Sequence, residues 1–134
     1  MMIAFAIEPD LSADEFRAIL IASTLAERRP AQDLARLERM LRQADVIATA
    51  RDGERLVGIA RAITDFSYCC YLSDLAVAAP YQRRGIGKRL IEETHRAAGF
   101  ETTLILVAAP AAEGYYGKIG LKHMPSCWAI PRRG

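Results

Sequence analysis

The sequence predicts an α/β fold in a single domain, a mixed β-sheet flanked by helices. Three observations predict it. Apolar residues recur at helical spacing in three places, beginning near Ala13, Leu34 and Ile86. Two strand-like runs are joined by Asp52-Gly53, a hairpin signal that makes them antiparallel. A third run, ending at Val77, is separated by a helix from a fourth at Thr103 to Val107, and a helical crossover makes that pair parallel. A sheet that holds both a hairpin and a crossover is mixed.

The elements follow in order. Residues 2–7 read as a first strand. Ser12 and Glu15 have the spacing of a capping box, so a helix is expected from Ala13 to Glu27, burying Phe16, Ile19 and Leu20. Pro30 ends it. Leu34, Leu37, Met40 and Leu41 mark a second amphipathic helix, with Arg36, Glu38, Arg39 and Arg42 as its solvated face. Asp45 to Arg51 and Leu56 to Ile63 form the hairpin strands, and Cys69 to Val77 the next. A helix over 85–98 buries Ile86, Leu90, Ile91, Thr94 and Ala97, and Gly99 stops it. The apolar run Thr103 to Val107 reads as a buried strand. Ala112 to Ile119 is a short helix closed by Gly120. Residues 121–124 and 127–130 are candidates for two last short strands.

Length and composition bound the function. A chain of 134 residues suits one domain, 1–134, with a sizeable core. A net charge of +2 is no argument for nucleic acid or membrane as a partner. MMIAFAIEPD lacks a basic leader and meets Glu8 and Asp10 at once, unlike a signal peptide. No apolar run approaches the ~20 residues that cross a bilayer. Three cysteines, two of them adjacent, make no disulfide framework, so a reducing, cytoplasmic setting is expected. No Cys/His spacing points to a metal.

The chemistry concentrates at residues 72–91, LSDLAVAAPYQRRGIGKRLI. Pro80 ends the strand. The turn Gln82, Arg83, Arg84, Gly85, Ile86, Gly87, Lys88 then opens a helix. A helix start offers unpaired N–H groups and the positive end of the macrodipole, which together bind phosphate. Gly85 and Gly87 let a large anion approach the backbone, and the basic side chains add charge. The plain alternative is a solvated basic turn between strand and helix. The turn has neither the Gly-Lys-Ser/Thr of a Walker loop nor the third glycine of a dinucleotide fingerprint. Read as a nucleic-acid patch, Arg83 to Arg89 predicts steeply salt-dependent duplex binding.

Gln82-x-x-Gly85-x-Gly87, after a strand ending Leu75-Ala76-Val77, closely resembles the acyl-CoA-binding motif of the GNAT superfamily of N-acyltransferases. Tyr115-Tyr116-Gly117-Lys118-Ile119-Gly120-Leu121 is similar to that family's aromatic-Tyr-x-x-aliphatic-Gly-aromatic signature, with Leu121 in place of the usual aromatic. The resemblance spans about residues 45–124. It implies splayed parallel strands around an acyl-CoA site. Acetyl-CoA would be the cosubstrate, its pantetheine arm along Leu75, Ala76 and Val77 and its pyrophosphate on residues 83–88. Backbone N–H groups near Leu75 and Ala76 would hold the oxyanion, an effect worth about 3 kcal/mol. Tyr116 matches the tyrosine that protonates the leaving thiolate. A phenol, protonated at neutral pH, suits that role. Tyr115 is read as packing. The family's asparagine seven residues before the tyrosine is Ala109 here, which removes one side-chain contact to the cofactor arm.

The attacking amine must lose a proton. Asp74 is the candidate base, although strand alternation sets it on the face opposite Leu75. Ser73, Asp65 and Tyr68 are candidates to line the acceptor site. Cys69 and Cys70 face opposite ways, so an acyl-cysteine route has at most one of them, and buried inert cysteine is the commoner outcome. Trp128 and the apolar C-terminal segment fit a homodimer seam or the core. The implied activity is direct acetyl transfer from acetyl-CoA to a primary amine, on a small molecule or a peptide. The other reading is a non-catalytic acyl-CoA-binding regulatory module on the same fold.

Overall fold

A computed structural model describes residues 2–133. Five strands form one sheet in the order β1-β2-β3-β4-β5. They are β1 (Ile3–Ile7), β2 (Val46–Asp52), β3 (Arg55–Thr64), β4 (Cys69–Val77) and β5 (Thr103–Ile105). The first three pairings are antiparallel, and β4 with β5 is parallel. The mixed sheet is therefore present as the hairpin and crossover signals require. Gly53, at φ 63°, supplies the left-handed residue of the Asp52-Gly53 turn.

Helices α1 (Ala13–Ala22) and α2 (Leu34–Arg42) cover one face, while α3 (Ile86–Ala98) covers the other. Ser12 caps α1 by accepting the Glu15 N–H, and Asp33 caps α2 by accepting that of Arg36. Phe16, Ile19, Leu20, Leu37 and Leu41 pack on Ile47, Ile59, Ala76 and Ala78. On the far face Ile86, Leu90 and Ile91 pack on Ala48, Ala50, Ala60 and Leu72.

Several expectations need correction. The first helix stops at Ala22, because Thr24 takes a left-handed conformation (φ 68°) and a separate 3-10 turn, Leu25–Arg28, follows. On α3 it is Ala98, not Ala97, that is buried, since it lies one full turn past Thr94. The run from Thr103 to Val107 is not a buried strand. Only three residues pair, and Ile105 and Val107 are largely exposed because β5 is the sheet edge. No strand forms over residues 121–133, and Trp128, 91% exposed, is not in the core. The last helix, α4 (Glu113–Lys118), is the short one expected.

Candidate active site

The site begins with a ladder that stops early. β5 pairs with β4 only at Cys69, Cys70 and Tyr71. Beyond Tyr71, β4 runs on to Val77 with no strand on that side, while the chain after Ile105 turns away toward α4. Residues 72–77 therefore keep one backbone edge open, which creates the splayed gap expected between these strands.

A β-bulge sets which side chains face the gap. Asp74 pairs with Arg61 and Leu72 with Ala62, so Ser73 is an extra residue. Strict alternation would put Leu72, Asp74 and Ala76 on one face. Instead Leu72, Leu75 and Val77 share the α3-side hydrophobic cluster, and Ala76 packs under α1 and α2. Tyr116, from α4, joins the same α3-side cluster as Leu75, Val77, Leu104 and Leu106. Its hydroxyl has no hydrogen-bond partner among the described residues. Burial, and the neighbouring Tyr115, raise its pKa above the usual phenol value. The group thus stays protonated at neutral pH and is free to donate.

Asp74 goes the other way. It is fully buried, and its two oxygens accept from the guanidinium groups of Arg29 and Arg61. Arg29 also donates to the Ser73 carbonyl, and Arg61 to the Ser73 hydroxyl. The expectation that Asp74 acts as the base is corrected on this ground. A carboxylate with both oxygens committed and no exposed surface cannot take an amine's proton without breaking an ion pair. Its work is to pin the bulge. Nothing in the sequence marked Arg29 for this, since it lies 45 residues away in the chain.

The anion cradle is built at the start of α3. Gly85 caps the helix in a left-handed conformation (φ 80°), and Arg83 is left-handed as well (φ 65°). The first intrahelical bond runs from the Arg89 N–H to the Gly85 carbonyl. The N–H groups of Ile86, Gly87 and Lys88 therefore have no intrahelical acceptor. Gln82 is exposed on the turn. Its side-chain amide donates to the Val77 carbonyl at 2.9 Å and ties the turn to the end of β4. Arg84 stacks on Tyr81, and Arg89 stacks on Phe5 while pairing with Glu93. A cavity of about 210 Å³ lies beside the cradle, lined by Ile3, Phe5, Arg84, Gly85, Ile86 and Arg89. A larger one, about 280 Å³, lies between α1 and the start of β3, with Ala78, just past the end of β4, in its wall.

The acceptor-side candidates are spread apart. Asp65 accepts the N–H groups of Ser67, Tyr68 and Cys69, which lower its pKa to about 2. It is a turn-former at the β3–β4 connection. Tyr68 is exposed, and Ser73 is the bulge residue with its hydroxyl on Arg61. Cys69 is exposed and Cys70 buried, as alternation requires.

Comparison with known proteins fits this geometry. The family model described as an acetyltransferase (GNAT) domain matches residues 9–126. The chain belongs to the GNAT acetyltransferase family. It is an acyl-CoA N-acyltransferase with acetyl-CoA as cosubstrate. Solved structures share the fold. A GNAT family acetyltransferase from Streptococcus pneumoniae is 22% identical, with a TM-score of 0.73 and coverage of 99% of this chain and 98% of that one. The aminoglycoside N-acetyltransferase AAC(6')-Iy, solved with CoA, is 19% identical (TM-score 0.74, 99% and 96% covered). An acetyltransferase from Trypanosoma brucei is 21% identical (TM-score 0.67, 98% and 100% covered). No curated protein matches the sequence. No helix among the described residues of this GNAT chain is long and apolar enough to cross a membrane.

Proposed function

We propose that this GNAT chain transfers the acetyl group of acetyl-CoA directly to the primary amine of a small molecule, within a ternary complex. The observation that carries the reading is the open backbone edge of residues 72–77 beside a half-buried Tyr116 whose hydroxyl is free to donate. The pantetheine arm lies along Leu75, Ala76 and Val77, and the pyrophosphate sits on the amides of Gly85, Ile86 and Gly87, with Arg83, Arg84 and Lys88 around it. Backbone N–H groups near Leu75 and Ala76 polarise the thioester carbonyl. The amine nitrogen attacks that carbon, the tetrahedral intermediate collapses, and the C–S bond breaks. Tyr116 gives its proton to the departing thiolate, while the proton of the new ammonium passes to water. A small-molecule acceptor is supported by the likeness to AAC(6')-Iy, whose substrate class is an aminoglycoside.

Calorimetric titration with acetyl-CoA, using CoA and ATP as comparisons, tests the cofactor part, and a turnover screen over small amines tests the transfer. Saturable binding that prefers CoA species, followed by acetylation of an amine, is expected. Binding without turnover of any amine would favour the non-catalytic acyl-CoA module.

A further inference from the structure

Tyr115 occupies a position that the transfer mechanism does not use. Its hydroxyl lies directly over Gly87. A Cβ built on Gly87 would come within 2.8 Å of that oxygen, so only glycine leaves room for it. The Lys88 backbone N–H, the third orphan donor of α3, faces the same oxygen and opposes the rise that burial gives its pKa. The phenol thus sits at the helix start with an O–H proton to give. The Tyr115 ring also meets that of Tyr116 edge to face, with centroids 5.2 Å apart. One side chain therefore joins the anion cradle on α3 to the acid on α4.

We propose that Tyr115 is a cofactor-binding residue: with the Ile86 and Gly87 amides it forms the phosphate site, donating its O–H to a pyrophosphate oxygen. This rests on the acetyl-CoA reading of the cradle and adds to it a side-chain donor from a different element. The chemistry favours donation over displacement. A phosphate on the Ile86 and Gly87 amides arrives next to this hydroxyl, and an O–H bond to an anion is stronger than one between neutral groups. It also changes the meaning of Gly87, which makes room for a tyrosine hydroxyl as well as for the ligand.

The test is Tyr115→Phe, which keeps the ring and its packing. The readout is the ratio of kcat/KM for acetyl-CoA to that for S-acetylpantetheine, which has neither pyrophosphate nor nucleotide. Losing a hydrogen bond to a charged group is expected to lower that ratio roughly 10-fold or more. Calorimetry should show a matching rise in Kd for CoA. Equal losses with both donors would mean that Tyr115 merely holds α4 in place, and would overturn the proposal. Tighter CoA binding in the variant would overturn it too, because the hydroxyl would then be a plug that phosphate expels. If the unmodified protein binds S-acetylpantetheine as well as acetyl-CoA, the cradle reading itself fails, and this proposal with it. Gly87→Ala supplies a second variant. Its Cβ must push the Tyr115 hydroxyl off the helix start, so it should lower the same ratio.

Discussion

At the scale of the residue, three side chains carry opposite lessons. Tyr116 is half-buried against the gap, and its pKa is raised, first by desolvation and then by Tyr115. The sign matters for the acid role: a raised value keeps the proton on the phenol at neutral pH. Tyr116→Phe should cut turnover by roughly 100-fold or more and leave CoA binding in place. An unchanged rate would remove Tyr116 from the mechanism. Asp74 is structural. Asp74→Asn leaves Arg61 buried with half its partner gone, and breaking such a pair costs about 3–5 kcal/mol. Urea unfolding should show that loss. Tyr115 and Tyr116 are adjacent in sequence, yet only the fold separates a hydroxyl over α3 from one beside the thioester gap.

At the scale of the element, α3 is both the helix proposed to face phosphate and half of the core. It packs on β2, β3 and β4 through Ile86, Leu90 and Ile91. Gly58 on β3 is where that packing is closest. A Cβ there would lie 2.9 Å from Leu90 Cδ1, 3.3 Å from Ile86 Cγ2 and 3.4 Å from the Ala50 Cβ. Leu90 is completely buried and has nowhere to move. Gly58→Ala should therefore destabilise the protein by about 1–3 kcal/mol. Because the displaced residues start α3, it should weaken CoA binding as well. Thermal unfolding and calorimetry together check both effects. The bulge at Ser73 is the other element-level device. It reverses the side-chain alternation of β4, turning Leu75 and Val77 toward α3.

At the scale of the whole molecule, charge links distant parts. Glu8 of the first loop pairs with Arg51 on β2, which lowers the Glu8 pKa, and Arg51 also reaches Glu15 on α1. Asp65 is lowered to about 2 by backbone N–H groups at the far end of the sheet. Both groups are depressed in the folded state, so their stabilisation is complete above the ordinary carboxylate range. It drains away as pH falls from about 4 toward 2. The urea midpoint should be flat near neutrality and drop across that acid window. Glu8→Gln should reduce the drop. The single tryptophan gives an independent check of the C-terminal segment. Trp128 is 91% exposed, so in the monomer its emission maximum should barely move on unfolding. A clear red shift would mean that another surface, such as a second copy of the chain, covers it.

The sequence by itself determined the mixed sheet, the three long helices and the glycine turn that opens α3. Each rests on local rules: the Ser12 cap, the Asp52-Gly53 hairpin, the glycines at Gly85 and Gly87, and the spacing of Leu34, Leu37 and Leu41 and of Ile86, Leu90 and Ile91. Such signals act over a few residues and survive in one dimension. The tertiary structure alone decided how long β5 remains paired, which face Asp74 takes, and what Tyr115 touches. The reach of β5 depends on where its partner ladder ends at Tyr71. The fate of Asp74 depends on an extra residue opposite β3 and on Arg29, far away in the chain. The role of Tyr115 depends on α4 returning over Gly87. These are long-range contacts, and no periodicity or turn chemistry in the local sequence encodes them.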